Sequence, residues 1–249
     1  GAFAVSERSG NSVELRDVRF AHPDMMFAFD LNVPAGQVAV ILGPSGAGKS
    51  TLLDLVAGFR IPRSGRIIIG GRDVTDLPPS ARPVSIVFQD NNLFAHLDVA
   101  ANVGLGRRPD LRIGPADREM VAVAIARVGL AGKEKRKPAE LSGGERQRGA
   151  IARALVRRRP GLLLDEPFAS LGPGLRDDMI GLLAELHAEI RMTVLMVSHD
   201  PQDAMRLSAH VIYLEGGQVA AEGPASELLV RGGPAALNAY LGRSGKLAK

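Results

Sequence analysis

Cysteine is absent from the 249 residues. That excludes disulfides, thiolate metal sites and a cysteine nucleophile, and it makes cytoplasm the expected compartment. Tryptophan is also absent and only two tyrosines occur, so no aromatic platform for stacking bases is expected. Charge of one sign is scarce as well. The 31 Lys and Arg exceed the 27 Asp and Glu by a formal +4, too little to mark a nucleic-acid surface, and no nucleic-acid partner is expected. Long apolar runs are missing too. The longest candidates, residues 120–126 and 193–197, have the length of core elements, so the chain is not expected to span a membrane. The first ten residues contain Ser6, Glu7, Arg8 and Ser9 and no apolar stretch, so no signal peptide is expected. Gly1-Ala2, with no initiator Met, reads as a trimmed or tagged start.

What is present is a hydrophobic fraction of 45% with 23% charged residues, the balance of a globular chain with a sizeable core. Strand and helix signals alternate. The β-branched run 38–42 reads as a buried strand, and Leu52, Leu53, Val56 and Ala57 follow at helical spacing with Gly58 as C-cap. Residues 67–69 before Gly70-Gly71, and residues 84–88, read as strands. From 91 to about 159 the signal turns mostly helical, with apolar periodicity over 118–130 and 145–156. Residues 162–164 form a buried strand ending in two acids. Leu175, Met179, Leu182, Leu183, Leu186 and Ile190 mark an amphipathic helix, 193–198 a strand, and 211–214 with 218–221 a hairpin through Gly216-Gly217. This alternation predicts an α/β fold around a parallel sheet, with a helical insertion in its middle and an antiparallel β-piece alongside.

Gly43-Pro44-Ser45-Gly46-Ala47-Gly48-Lys49-Ser50, followed by Thr51, is a P-loop that leaves a strand and opens a helix. Its glycines let backbone N–H groups approach phosphates, and the helix N-terminus favours an anion. Lys49 can reach β/γ-phosphates and the Ser50 hydroxyl can bind Mg²⁺. Asp165 and Glu166 end a buried strand at the sheet edge where open α/β sheets bind ligands. Asp165 would hold Mg²⁺ and Glu166 would polarise the attacking water. Leu141-Ser142-Gly143-Gly144-Glu145 starts a helix, both as a capping box and as a second anion cradle. One nucleotide should not need two cradles from one chain, so a head-to-tail dimer is expected, the second cradle closing over the partner's γ-phosphate. Gln89 ends the 84–88 strand and His199 the 193–198 strand, on the same edge as Asp165. His199 is placed as a γ-phosphate sensor.

Together these residues resemble the ATP-binding cassette of ABC transporters. Walker A (43–50), the Q-loop (Gln89), the signature (141–145), Walker B (162–166) and the H-loop (His199) stand in the family's order over essentially the whole chain. The resemblance implies a P-loop NTPase with a RecA-like core, an antiparallel β-subdomain and an inserted α-helical subdomain. All would lie in one domain, with core and β-subdomain at about 12–90 and 157–230, helices at about 91–156 and a tail at 231–249. It implies ATP and Mg²⁺ as cofactors, with Gln89 joining Ser50 and Asp165 at the metal and joining Glu166 and His199 in catalysis. It implies two cassettes sandwiching two ATP molecules and driving an integral membrane permease, peripheral to the cytoplasmic face of a bacterial inner membrane.

Residues 78–97, continuing to Gly104-Leu105-Gly106, resemble more closely the ATP-binding subunits of bacterial thiamine importers. Thiamine or thiamine pyrophosphate becomes the expected cargo, delivered by a periplasmic binding protein. An importer for iron, a polyamine or an anion stays open, because cargo never touches this subunit. Three positions depart from the family pattern. His22, with Phe20 two residues earlier, takes the place of the aromatic that stacks on adenine. The signature ends in Glu145 rather than Gln. Ala169-Ser170-Leu171-Gly172 lacks the Asp that usually communicates across the dimer.

Other functions fit less well. Mechanical ABC ATPases place coiled-coil arms between Q-loop and signature, and the short stretch from Gln89 to Leu141 carries no sustained heptads. Translation-factor types carry two cassettes, and metabolite kinases need no signature segment. Few residues follow His199, so no further regulatory domain is expected. The basic stretches 133–137 and 157–159 read as solvated helix ends, with contact to anionic lipid head groups as the alternative. The permease is expected to dock near 91–103.

Overall fold

The computed structural model describes residues 10–242, apart from Asp24 and Asn91. The readings made on residues 1–9, on Asn91 as a boundary and on the tail beyond 242 lie outside the described residues. In chain order the elements are β1 (Val13–His22), β2 (Met25–Val33), β3 (Val38–Leu42), α1 (Lys49–Ala57), β4 (Ser64–Ile69), β5 (Arg72–Asp73) and β6 (Val84–Val87). Then come α2 (Val99–Gly104), α3 (Pro115–Arg127), α4 (Gly143–Leu155), β7 (Gly161–Asp165), α5 (Pro173–Ile190) and β8 (Thr193–Val197). The chain continues with α6 (Pro201–Arg206), β9 (His210–Glu215), β10 (Gln218–Pro224), α7 (Ala225–Leu228) and α8 (Ala235–Tyr240).

The strands form one sheet in the order β5-β4-β1-β2-β10-β9-β3-β8-β7-β6. β9, β3, β8, β7 and β6 run parallel to one another. Every residue of β3 and β8 is buried, because helices cover both faces of a parallel sheet and leave no wet side for polar residues. β1, β2, β4 and β5 pair antiparallel, as do β9 and β10. The sheet is therefore mixed, as the hairpin signals required, and three helices lie between β6 and β7 where the sequence turned helical.

Two apolar clusters divide the core between the sheet faces. One joins Val40, Leu42, Leu162 and Leu164 to Ile125, Ile151 and Leu183 of the long helices. The other joins Ala39, Ile41, Leu163 and Leu195 to Leu52 and Val56 of α1 and to Phe29 and Ile67 of the antiparallel strands. The alternation along β3 and β7 splits their side chains between the two, and burying both faces fixes the strand register.

Gly58 caps α1 as expected, at φ 90° with its N–H on the Asp54 and Leu55 carbonyls. Two sequence readings need correction. The strand expected over 84–88 ends at Val87, where its pairing with β7 stops, and the Phe88 ring lies 5.8 Å from Phe59. Residues 133–137 carry exposed side chains at Lys135, Arg136 and Lys137, as expected, but they lie in a turn beyond α3 rather than at a helix end. The Glu134 and Arg136 carbonyls accept from Ala100 and Val99 at the start of α2, and Lys133 is ion-paired with Glu145. At the other basic stretch Arg159 donates to the Ser80 and Val84 carbonyls, so it too is tied down.

Candidate functional site

The parallel strands β3, β7 and β8 end side by side, which brings three loops to one edge. Gly43 leaves β3 at φ 150°, and a Cβ there would lie 2.3 Å from the Leu214 carbonyl oxygen. Gly48 ends the loop at φ 101°, where a Cβ would press on the Phe27 ring. No other residue type fits either position. Lys49 opens α1 and is 6% exposed, and its ammonium donates to the Gly43 and Pro44 carbonyls at 2.8 and 2.9 Å. Burial pushes its pKa down, while the charges of Glu166 and Asp165 pull it back up.

Ser50, one residue on, donates its hydroxyl to Asp165 Oδ1 at 3.1 Å. Burial raises the Asp165 carboxyl above the usual range; the Ser50 bond and Lys49 act against that rise, while Glu166 and Asp54 add to it. A hydroxyl and a carboxylate oxygen side by side form a hard-oxygen donor pair. That pair suits Mg²⁺, which takes one or two protein oxygens and completes its octahedron with phosphate and water.

Glu166 stands just past the end of β7 at φ 46°, a left-handed conformation that is uncommon outside glycine and clusters at functional sites. Its N–H donates to the Val197 carbonyl at 3.2 Å and its own carbonyl accepts from Ala169, so neighbouring backbone enforces the conformation. The carboxylate meets His199 Nε2 at 2.6 Å. His199 in turn lies between two anchored residues. Arg176 of α5 forms a two-point pair with buried Asp203 of α6, and the Ser198 hydroxyl donates to the same carboxylate while accepting from the Asp200 amide.

The structure thus brings Lys49, Ser50, Asp165, Glu166 and His199 together. Gln89 is exposed two residues beyond β6, at the same edge of the sheet. His22 lies elsewhere, exposed near the tip of the β1–β2 hairpin. Its alternative Phe20 belongs to an aromatic row with Phe27 and Phe29 that reaches the P-loop at Gly48, and the Arg60 guanidinium sits 5.3 Å over the Phe20 ring. Residues 20 and 22 share one face of β1, so both belong to the same side of the hairpin.

Ser142 is the N-cap of α4. Its hydroxyl accepts from Glu145 N–H at 3.2 Å, and the Glu145 carboxylate accepts from Ser142 N–H at 2.8 Å. Glu145 is held below the usual carboxylate range by Lys133 first and the Ser142 amide second. Gly144 is buried against Leu175 of α5, at a distance where a Cβ would come within 3.3 Å of that side chain. This segment therefore packs on the start of α5, beside the Leu171-Gly172 loop. The Arg176–Asp203–Ser198 network escaped the sequence reading. Its one signal there was the pair of acids, Asp200 and Asp203, flanking the helix start after His199.

The chain is similar to known proteins. A family model described as ABC transporter matches residues 27–169. The thiamine import ATP-binding protein ThiQ of Brucella suis is 60% identical over 230 residues, covering 92% of this chain and 95% of that protein. Its namesake in Chelativorans is 57% identical over 241 residues, covering 96% and 98%. Among solved structures, the dimeric post-hydrolysis state of the ATP-binding cassette MJ0796 bound to ADP and Pi superimposes with a TM-score of 0.73 at 30% identity. It covers 86% of this chain and 98% of that one.

Proposed function

The chain belongs to the ABC transporter family, whose cassettes hydrolyse ATP, and from that membership we propose that it powers uptake of thiamine or a phosphate ester of it. The observation that carries the hydrolytic reading is the convergence of Lys49, Ser50, Asp165, Glu166 and His199 on one sheet edge. The cargo reading rests on the ThiQ relatives.

The residue roles follow from position and chemistry. The loop 43–51 cradles the phosphates through its amides, and Lys49 exchanges its carbonyl partners for β/γ-phosphate oxygens. Ser50 and Asp165, with Gln89 at the same sheet edge, would hold Mg²⁺, which when bound would neutralise phosphate charge. Glu166 orients the attacking water and takes its proton. His199, hydrogen-bonded to Glu166, is placed to contact the γ-phosphate. His22 or Phe20 stacks on adenine. Ser142, Gly143, Gly144 and Glu145 close over the nucleotide of a partner cassette, so the working unit is a homodimer on an integral membrane permease. A periplasmic binding protein supplies the solute. Among the described residues no helix is long and apolar enough to cross a membrane, and a peripheral place on the cytoplasmic face of the inner membrane follows from the permease.

Two measurements test this. Glu166→Gln keeps shape and removes the base, so turnover should fall roughly 10²-fold or more while ATP still binds. Normal turnover would sink the assignment. Cells lacking the chain should lose high-affinity thiamine uptake. Intact thiamine uptake with loss of iron, polyamine or anion uptake would move the cargo elsewhere.

A further inference from the structure

The last described helix reaches back to the hydrolytic edge. α8 packs through Leu237, which is fully buried, and the Tyr213 hydroxyl donates to the Ala236 carbonyl at 3.2 Å. Tyr213 is the β9 residue paired with Leu42, directly before the P-loop. The Tyr240 ring lies 5.5 Å from the Tyr213 ring, so one aromatic fixes the other. From there the Tyr240 hydroxyl donates to the His199 carbonyl at 3.1 Å. That contact belongs to none of the roles given above.

We propose that Tyr240 is a positioning residue of the hydrolytic site, holding the backbone of His199 by its carbonyl and so setting where the imidazole meets Glu166. The proposal rests on the reading of Glu166 and His199 as the hydrolytic pair. Its logic lies in how the His199 loop is pinned. Ser198 and Asp200 are held from one side by the Arg176–Asp203 pair. That leaves the peptide carbonyl between them, and Tyr240 takes it. A hydroxyl suits the task because it can donate to a carbonyl. Phenylalanine would keep the ring packing on Tyr213 and lose that contact.

The test uses the full chain and three variants: Tyr240→Phe, His199→Ala and the two combined. Steady-state hydrolysis, ATP affinity and the thermal midpoint are measured for each. Tyr240→Phe should lower kcat about 3- to 10-fold, the effect of one hydrogen bond, with KM for ATP within about twofold of wild type and an unchanged midpoint. In the His199→Ala background the same change should cost nothing further, because the two act as a unit. Unchanged kcat in Tyr240→Phe while His199→Ala loses turnover overturns the proposal and leaves the hydrolytic reading standing. An equal, additive loss in both backgrounds overturns it as well. Full turnover in His199→Ala overturns the hydrolytic reading of His199 and the proposal with it.

Discussion

Arg82 is 1% exposed and its guanidinium is spent on main-chain carbonyls: Leu55, Val56, Thr75 and Leu77, at 2.6 to 3.0 Å. Two of these are carbonyls of α1, which carries the P-loop at its other end, so Arg82 satisfies the C-terminal acceptors of that helix. Arg82→Met should destabilise the chain by roughly 2–4 kcal/mol, since buried acceptors are left unmade. Chemical denaturation would check this, and a loss under about 0.5 kcal/mol would contradict it. Asp165 works the opposite way. Its carboxyl is raised in the folded chain, so ionising it costs folding energy. Stability falls as pH climbs from the ordinary carboxylate range through the raised value, and the full penalty stands at neutral pH. Asp165→Asn should therefore raise the nucleotide-free thermal midpoint at neutral pH by about 1–3 °C. The gain should vanish below the ordinary carboxylate range, as it would not if packing were the cause. Binding of Mg²⁺ and nucleotide should be lost at the same time, a trade of activity for stability.

At the scale of elements, Gly172 is the N-cap of α5 at φ −65° and ψ 162°, with Pro173 following. This is extended backbone that any residue adopts, and a Cβ there meets nothing within 4 Å. The family's usual Asp is thus compatible with the loop's backbone. Gly172→Asp should add a few tenths of a kcal/mol through a side-chain cap on α5. It should also supply a carboxylate facing a partner cassette. The expected outcome is a higher Hill coefficient for ATP in the assembled transporter and more ATP-closed dimer in the Glu166→Gln background. A small gain in thermal midpoint with both readouts unchanged would reduce the position to a helix cap.

For the whole molecule, the second anion cradle decides whether one chain or two make a site. Ser142→Arg places a charged bulk at the N-cap of α4 and removes a cap at a cost of about 1 kcal/mol. If the cradle serves a partner's nucleotide, ATP affinity of the isolated chain stays within about twofold while turnover falls by roughly 10²-fold. Affinity falling in step with turnover would place the cradle at the chain's own nucleotide. Partner docking leaves a surface signature as well. Phe59, Ile61 and Phe94 are half or more exposed, and the Phe94 amide is held by Asn102, which is 1% exposed and spends its amide on Phe94, Leu97 and Asp98. An exposed apolar side chain on a loop built that firmly suits a permease contact near 91–103. Phe94→Ser should weaken co-purification with the membrane subunit and leave the isolated chain's hydrolysis intact. Undiminished co-purification would move the docking surface away from Phe94.

The sequence alone determined what is local. Residues 43–50, 141–145 and 162–166 each carry their geometry in their composition, because glycines, caps and a buried strand's end are short-range properties. Residues 38–42 and 193–197 declared themselves as buried strands by their unbroken apolar runs, and Gly58 as a helix end by its place after Ala57. Tertiary structure decided what depends on which strands become neighbours. Ser50 meets Asp165, and Glu166 meets His199, only because β3, β8 and β7 align in parallel and end together. Nothing within a few residues of Arg82, between Ala81 and Pro83, marks it for burial, which comes only from its place under α1. Asp203 and Tyr240 gave no short-range sign of their partners Arg176 and His199, which lie 27 and 41 residues away along the chain. Capping, turns and amphipathicity are set within a few residues. Burial of charge and the meeting of loops require the sheet to be assembled first.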